Sequence, residues 1–264
     1  MATMGSPKRR SPSGMLIDNS AWLSALVLLS LWEASGRAGL VSLIFFPIPS
    51  RILGTLWSLL VSGDIAKDLA ATLWRLLCSL GIGGAAGLLT GCLIGASESA
   101  RSALEPYVSA FHPLPKLAIF PLFLVILGIG EGSRIAVIAT TAFFPVVINT
   151  QAGIRQIDRT HWEVARNYGA DRRQLFTRVA LPGSLPMILA GFKIAANMAL
   201  AITIAVEMLS AQRGLGALIW NAWNSLRTPK LYAALVLIVI LGVAGNGLFS
   251  LASRLMVPWQ HKAE

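Results

Sequence analysis

The chain has 264 residues, of which 55% are hydrophobic and only 13% charged, and its mean hydropathy is +0.67. A soluble domain carries roughly 25% charged residues, so a water-exposed enzyme or scaffold is excluded and lipid is the expected solvent. The net charge of +10 does not make nucleic acid a partner: the basic residues fall between apolar runs, with no aromatic-basic module beside them. Positively charged cytoplasmic loops account for the excess.

Residues 1–14, with Lys8, Arg9 and Arg10 among prolines and glycines, read as a disordered basic tail. Residues 15–264 read as one transmembrane domain. The first apolar run, Ser20 to Trp32, has no small-x-small cleavage site leading into a soluble domain, so an uncleaved first span is expected. The mixed polar and apolar segment Asp64 to Arg75 is expected to lie on the membrane surface.

From Leu76 to Ala96 there is no charge, which is long enough to span. Gly83, Gly87, Gly91 and Gly95 recur every four residues and so share one helix face. Missing side chains there let a second helix approach closely, either as static packing or as a surface that slides during transport. Cys78 and Cys92 are about 21 Å apart on such a helix, far beyond disulfide reach. Packing is their expected role.

A third span is expected around Tyr107 to Ile129. Its Pro113, Pro115 and Pro121 each remove a backbone donor. Such breaks persist where protein or a water-filled cavity satisfies the freed groups, which marks Pro121 and its helix as a candidate lining of a pathway. The fourth span, Ile135 to Ile154, is free of charge; the fifth, Leu185 to Leu209, contains Lys193 and Glu207; the sixth, Leu231 to Ser253, again has none. The expected fold is an all-α membrane protein with six transmembrane helices.

Between the fourth and fifth spans, residues 155–184 are too polar for lipid and too patterned for a simple turn. Thr160 followed by Glu163 has the spacing of a capping box, and Gly169 supplies a left-handed stop near Tyr168. Ala165 and Gly169, four apart, give a small-residue face. A second short amphipathic piece follows, and Leu181-Pro182 reads as the turn back to the bilayer. Six arginines (Arg155, Arg159, Arg166, Arg172, Arg173, Arg178) crowd this loop. They place it, and with it both termini, in the cytoplasm.

Glu163, Val164, Ala165, Gly169, Val179, Leu181 and Pro182 stand at the spacings of the motif E-A-A-x3-G-x9-I-x-L-P, with valine replacing one alanine and the isoleucine. In this the chain resembles the permease subunits of ATP-binding-cassette importers of the type I fold. The likeness covers roughly residues 70 to 260, the core of the domain lying at about 70–255. The segments PLPKLAIFPLFLVILGIGEGSRI and AVEMLSAQRGLGALIW are similar to the subgroup that imports nitrate, taurine and alkanesulfonates.

The resemblance implies a multi-pass protein of the bacterial inner membrane. It implies a second permease copy, two ATPase subunits that use ATP and Mg, and a periplasmic or lipid-anchored solute-binding protein. It also implies that the loop helix seats in an ATPase cleft and couples nucleotide closure to the spans. In that role Glu163 makes polar contacts, Ala165 and Gly169 allow close seating, and Pro182 begins the return leg.

Glu207, a charge near the outer end of the fifth span, is expected either at a pathway gate or paired with a neighbouring span. Lys193 is expected to snorkel towards phosphates, and Glu131 and Arg134 to form a local pair at helical spacing. His112, His161 and His261 are scattered and make no metal site, and no phosphate-binding G-x-x-x-x-G-K-[ST] loop is present. The chain is therefore expected to bind no cofactor and to catalyse no reaction of its own. The competing reading is an ion-coupled secondary transporter, which needs buried relay residues and repeated halves.

Overall fold

The computed structural model describes residues 12–258, and every regular element among them is helical. The expected tail at 1–14 lies mostly outside these residues; its last three positions open helix α1, Pro12–Arg37. A short α2, Pro49–Ser62, follows, and Gly63 in the left-handed region turns the chain into α3, Asp64–Ala96.

Helix α3 corrects one expectation. Asp64 to Arg75 does not lie along the membrane surface but is the first part of an unbroken helix of 33 residues. At 1.5 Å per residue this helix is about 50 Å long, well beyond a hydrocarbon core of about 30 Å. Its polar beginning therefore continues upright past the bilayer.

The four glycines of α3 face α6, Glu131–Arg155. A Cβ added at Gly83 would collide with the Ala139 carbonyl, and at Gly87 it would stand 2.7 Å from the Phe143 oxygen. At Gly91 it would be 2.6 Å from Thr150 Cβ, and at Gly95 2.9 Å from Ile154 Cβ. Both series rise together, so α3 and α6 run parallel with their backbones nearly touching. The opposite face of α3 exposes Trp74, Leu77, Ile82, Leu89 and Leu93, at the spacing of a lipid-facing stripe.

Because α3 and α6 are parallel, the chain must cross back between them. Helix α4, Glu98–Phe111, and helix α5, Phe120–Leu127, make that crossing with a bend of 93° between α4 and the segment Lys116–Leu127. The third span is thus broken rather than continuous. Pro113 and Pro115 lack N–H donors, so the hydrogen-bond ladder of α4 cannot continue through them. Pro121 sits in the first turn of α5, where a missing donor costs nothing.

Helix α9, Leu181–Ser210, packs antiparallel on α6, with Gly191 against Asn149 and Gly153 against Ser184 and Met187. Helices α10, Leu215–Asn224, and α11, Thr228–Met256, complete the fold. Val137, Ile138, Ala142, Val146, Ala195, Ala199 and Val206 form the central core between α6 and α9. A second core joins α2, α10 and the start of α11 through Leu56, Leu215, Leu218 and Ala233.

Among the described residues four helices are long and apolar enough to cross a bilayer, and the bent pair, taken as one broken span, brings the number to five. The first expected span, Ser20–Trp32, falls within α1, whose side chains are described only in part. The end of α1 meets the start of α11 where the rings of Trp32 and Tyr232 approach to 6.0 Å. Glu33 accepts hydrogen bonds from the Ser50 backbone and hydroxyl, tying α1 to α2.

Candidate functional site: a helical hook and a buried ionic cluster

The loop between α6 and α9 folds into a hook. Helix α7, Arg159–Asn167, is capped by Asp158, whose side chain accepts the Thr160 N–H at 2.8 Å. The expected cap at Thr160 is therefore displaced by two residues, because an ionised carboxylate is the stronger acceptor at a helix N-terminus. That hydrogen bond holds the Asp158 carboxyl below its ordinary pKa. Glu163 pairs instead with Arg159, one turn earlier, at 2.9 Å.

Gly169 has φ +81°, and the Ala170 N–H reaches back to the Ala165 carbonyl at 3.0 Å, closing the helix in a left-handed stop. A capping box then starts the return leg: Asp171 accepts from the Gln174 N–H, and Gln174 accepts from the Asp171 N–H. This opens a three-residue α8, Arg172–Gln174.

A π-helical turn, Leu175–Ala180, leads from α8 into α9 without a break. The return therefore begins at Asp171, ten residues before the expected turn at Leu181-Pro182. Pro182 offers no N–H, and its ring would clash with the carbonyl four residues back. Widening the preceding turn relieves both.

Glu163, Val164 and Gly169 are exposed, and nothing stands within 4 Å of the Cβ position of Gly169. Val179 and Pro182 are half-buried, and Leu181 is exposed. With Ile157, Asp158, His161, Arg178 and Gly183, Val179 and Pro182 line a cavity of about 420 Å³ under α7. The motif residues thus occupy two legs of one hook, with α7 outermost.

At the opposite end of the bundle Glu207 is completely buried. It accepts from Arg75 Nη1 at 2.6 Å, from the Thr72 hydroxyl at 2.9 Å and from the Gly216 N–H at 2.9 Å. Arg75, 4% exposed, also grips Glu131 in a two-pronged pair at 2.7 and 2.8 Å and donates to the Arg213 carbonyl. Glu131 in turn accepts from Arg134 at 2.6 Å, the pair expected from spacing, and Arg134 reaches Ser210.

Gly214 and Gly216 let the α10 N-terminus approach. A Cβ at Gly214 would collide with the Glu207 carboxylate, and one at Gly216 would stand 2.7 Å from Glu207 Cβ. The helix dipole of α10 therefore points its positive end at Glu207. One network joins α3, α6, α9 and α10. Sequence reasoning found Glu207 and the Glu131–Arg134 pair but missed Thr72 and Arg75. The available signal was a lone arginine placed directly before a charge-free run of 21 residues.

Lys193, expected to snorkel, donates to Ser250 of α11 at 3.3 Å, and Asn197 donates to Asn246 at 3.0 Å nearby. A polar seam between α9 and α11 results. Cys78 and Cys92 are both free thiols.

Parallel helices packed on glycine, a broken crossing and a polar helical hook define a polytopic all-α membrane protein. Its fold matches a chain of the MetNI methionine ABC transporter seen in inward facing conformations, with a TM-score of 0.63 at 20% identity over 72% of this chain and 96% of that one. The chain belongs to the family of binding-protein-dependent transport system inner membrane components, whose model matches residues 83–262. It is 32% identical to the taurine transport system permease protein TauC of Escherichia coli (strain K12), over 90% of this chain and 88% of TauC. It is 29% identical to the nitrate import permease protein NrtB of Leptolyngbya laminosa, over 99% of both chains. The chain is accordingly a permease subunit of an ABC importer, a transport component of the inner membrane.

Proposed function

We propose that α7 is the coupling helix of this permease and that the solute it passes is a small anion of the sulfonate, taurine or nitrate class. Two ATPase subunits on separate chains bind ATP and Mg, and their closure displaces α7. A second copy of this permease forms the other half of the pathway. A periplasmic or lipid-anchored binding protein delivers the solute at the end where Glu207 lies.

One observation carries the coupling reading: α7 is an exposed helix fixed at both ends to long packed helices, to α6 through Gln156 and to α9 through the unbroken return leg. A load on α7 is therefore transmitted as rotation of α6 and α9 rather than absorbed by a slack loop. Glu163 is available for polar contacts, and Val164, Ala165 and Gly169 offer a surface that a cleft can close upon. The anion reading rests on the similarity to the taurine permease TauC and the nitrate permease NrtB.

The same frame puts both termini in the cytoplasm, with the arginine-rich hook. Support comes from the meeting of α1 and α11 at Trp32 and Tyr232, near the far end of the bundle. The glycine stripe of α3 would serve as the bearing along which α6 moves.

The test is Gly169→Asp. Nothing crowds that position, and aspartate tolerates the left-handed region better than most residues, so membrane insertion is retained. ATPase co-purification and ATP-driven uptake are expected to fall at least about tenfold, since a charge buried in a docking interface without a partner is costly. Normal pull-down with normal uptake would refute the coupling role.

A further inference from the structure

The break between α4 and α5 opens a cavity of about 460 Å³ lined by His112, Pro113, Pro115, Lys116, Thr141 and Met198 among others. That volume lies within the range of small-molecule sites. Thr141 stands near the middle of α6 and Met198 near the middle of α9, so the cavity lies close to the centre of the bilayer. A lysine at such depth is costly and marks function by default.

The contacts of Lys116 satisfy its protons and favour its charge but supply no counter-ion. Its ammonium donates to the carbonyls of Phe111, His112 and Leu114 at 2.8, 2.8 and 2.9 Å and lies 4.3 Å from the centre of the Phe144 ring. These groups are neutral, and no Asp or Glu is among the residues lining the cavity. Capping the end of α4 explains the hydrogen bonds; a neutral donor could do as much. The α4 dipole and the Phe144 ring favour a cation there, yet no carboxylate neutralises it. The His112 ring packs against Phe144 at 5.8 Å, and its nitrogens have no hydrogen-bond partner among the described residues.

We propose that this cavity is an anion station on the translocation route, in which Lys116 supplies the uncompensated charge and His112 a direct hydrogen bond to an oxyanion such as a sulfonate or nitrate. The inference rests on the anion reading given above and assigns it a place. Binding is weak by construction, because the three lysine protons are already engaged and the anion gains mainly from the field. Weak binding is what passage requires: a solute must enter the station and also leave it.

The complete transporter, with its ATPase and binding protein, is reconstituted in liposomes, and ATP-driven uptake of radiolabelled ethanesulfonate and of nitrate is measured. Lys116→Gln is expected to lower uptake roughly tenfold while complex yield and ATP hydrolysis persist, and Lys116→Arg to restore most of it. Wild-type uptake by Lys116→Gln overturns the station. If Lys116→Gln fails to assemble, Met198→Glu and Met198→Gln decide. The station predicts loss only for the glutamate, which places a counter-charge in the cavity, and equal uptake by both overturns it. A wild-type complex that assembles and hydrolyses ATP yet takes up neither anion overturns the anion reading itself, and the station with it.

Discussion

The two ends of the bundle handle charge in opposite ways. At the Glu207 end, Arg75 of α3 and Glu207 of α9 are buried, 5% and 0% accessible, with the half-exposed Glu131 of α6 beside them; at the hook, the Arg159–Glu163 pair is exposed, with side chains 90% and 58% accessible. Buried pairs carry a large desolvation cost and hold only where further hydrogen bonds support them, as Thr72 and the Gly216 N–H do for Glu207. Exposed pairs of this kind contribute little. One end is therefore a clamp that fixes helix positions, and the other is a solvent-exposed surface, as the proposed coupling role requires.

The sharpest break in this comparison comes from Glu207→Ala. Arg75, Thr72 and the Gly216 N–H would all lose an acceptor in a buried site, and stability is expected to drop by about 3–5 kcal/mol. Thermal unfolding of the detergent-solubilised protein measures it, and an unchanged midpoint would show that the clamp is not structural. Next in size is Gly91→Val on the α3–α6 seam. Its added atoms would strike Thr150 and the Val147 carbonyl, with an expected loss of about 1–3 kcal/mol. The same substitution at Gly81, where nothing lies within 4 Å, is the control.

The smallest effect is expected at the hook. Asp158→Ala removes the cap of α7 and is expected to lower ATP-driven uptake about twofold to fivefold without moving the unfolding midpoint. Because the native Asp158 carboxyl titrates below its unfolded value, its capping contribution is complete above the unfolded pKa and fades as pH falls through the native one. Loss of the midpoint in Asp158→Ala would erase the contrast between the two ends.

The hook was legible in large part. Gly169 as a helix stop follows from local backbone chemistry, and the loop's polarity excludes it from lipid. The error at its N-terminus is instructive. Thr160 and Asp158 are both capping residues, and spacing to Glu163 favoured the first, while the actual contact of Glu163 is with Arg159. The choice between adjacent caps depends on where the preceding helix releases the chain, and that is a tertiary matter. Likewise Asp64 to Arg75 has the composition of a surface segment. It stands upright because Asp68, Thr72 and Arg75 meet partners 132 or more residues away on the α9–α10 corner, along with Glu131.

The order of apolar and polar stretches, by itself, determined a helical membrane protein, its charge-free crossings and a polar hook between two of them, because lipid forces backbone groups to be satisfied within each segment. Only the tertiary structure decided that α3 and α6 run parallel, that the third crossing is bent at its prolines, and that Glu207 is clamped by Arg75. Those outcomes depend on which distant side chains meet, and a one-dimensional pattern carries no record of such meetings.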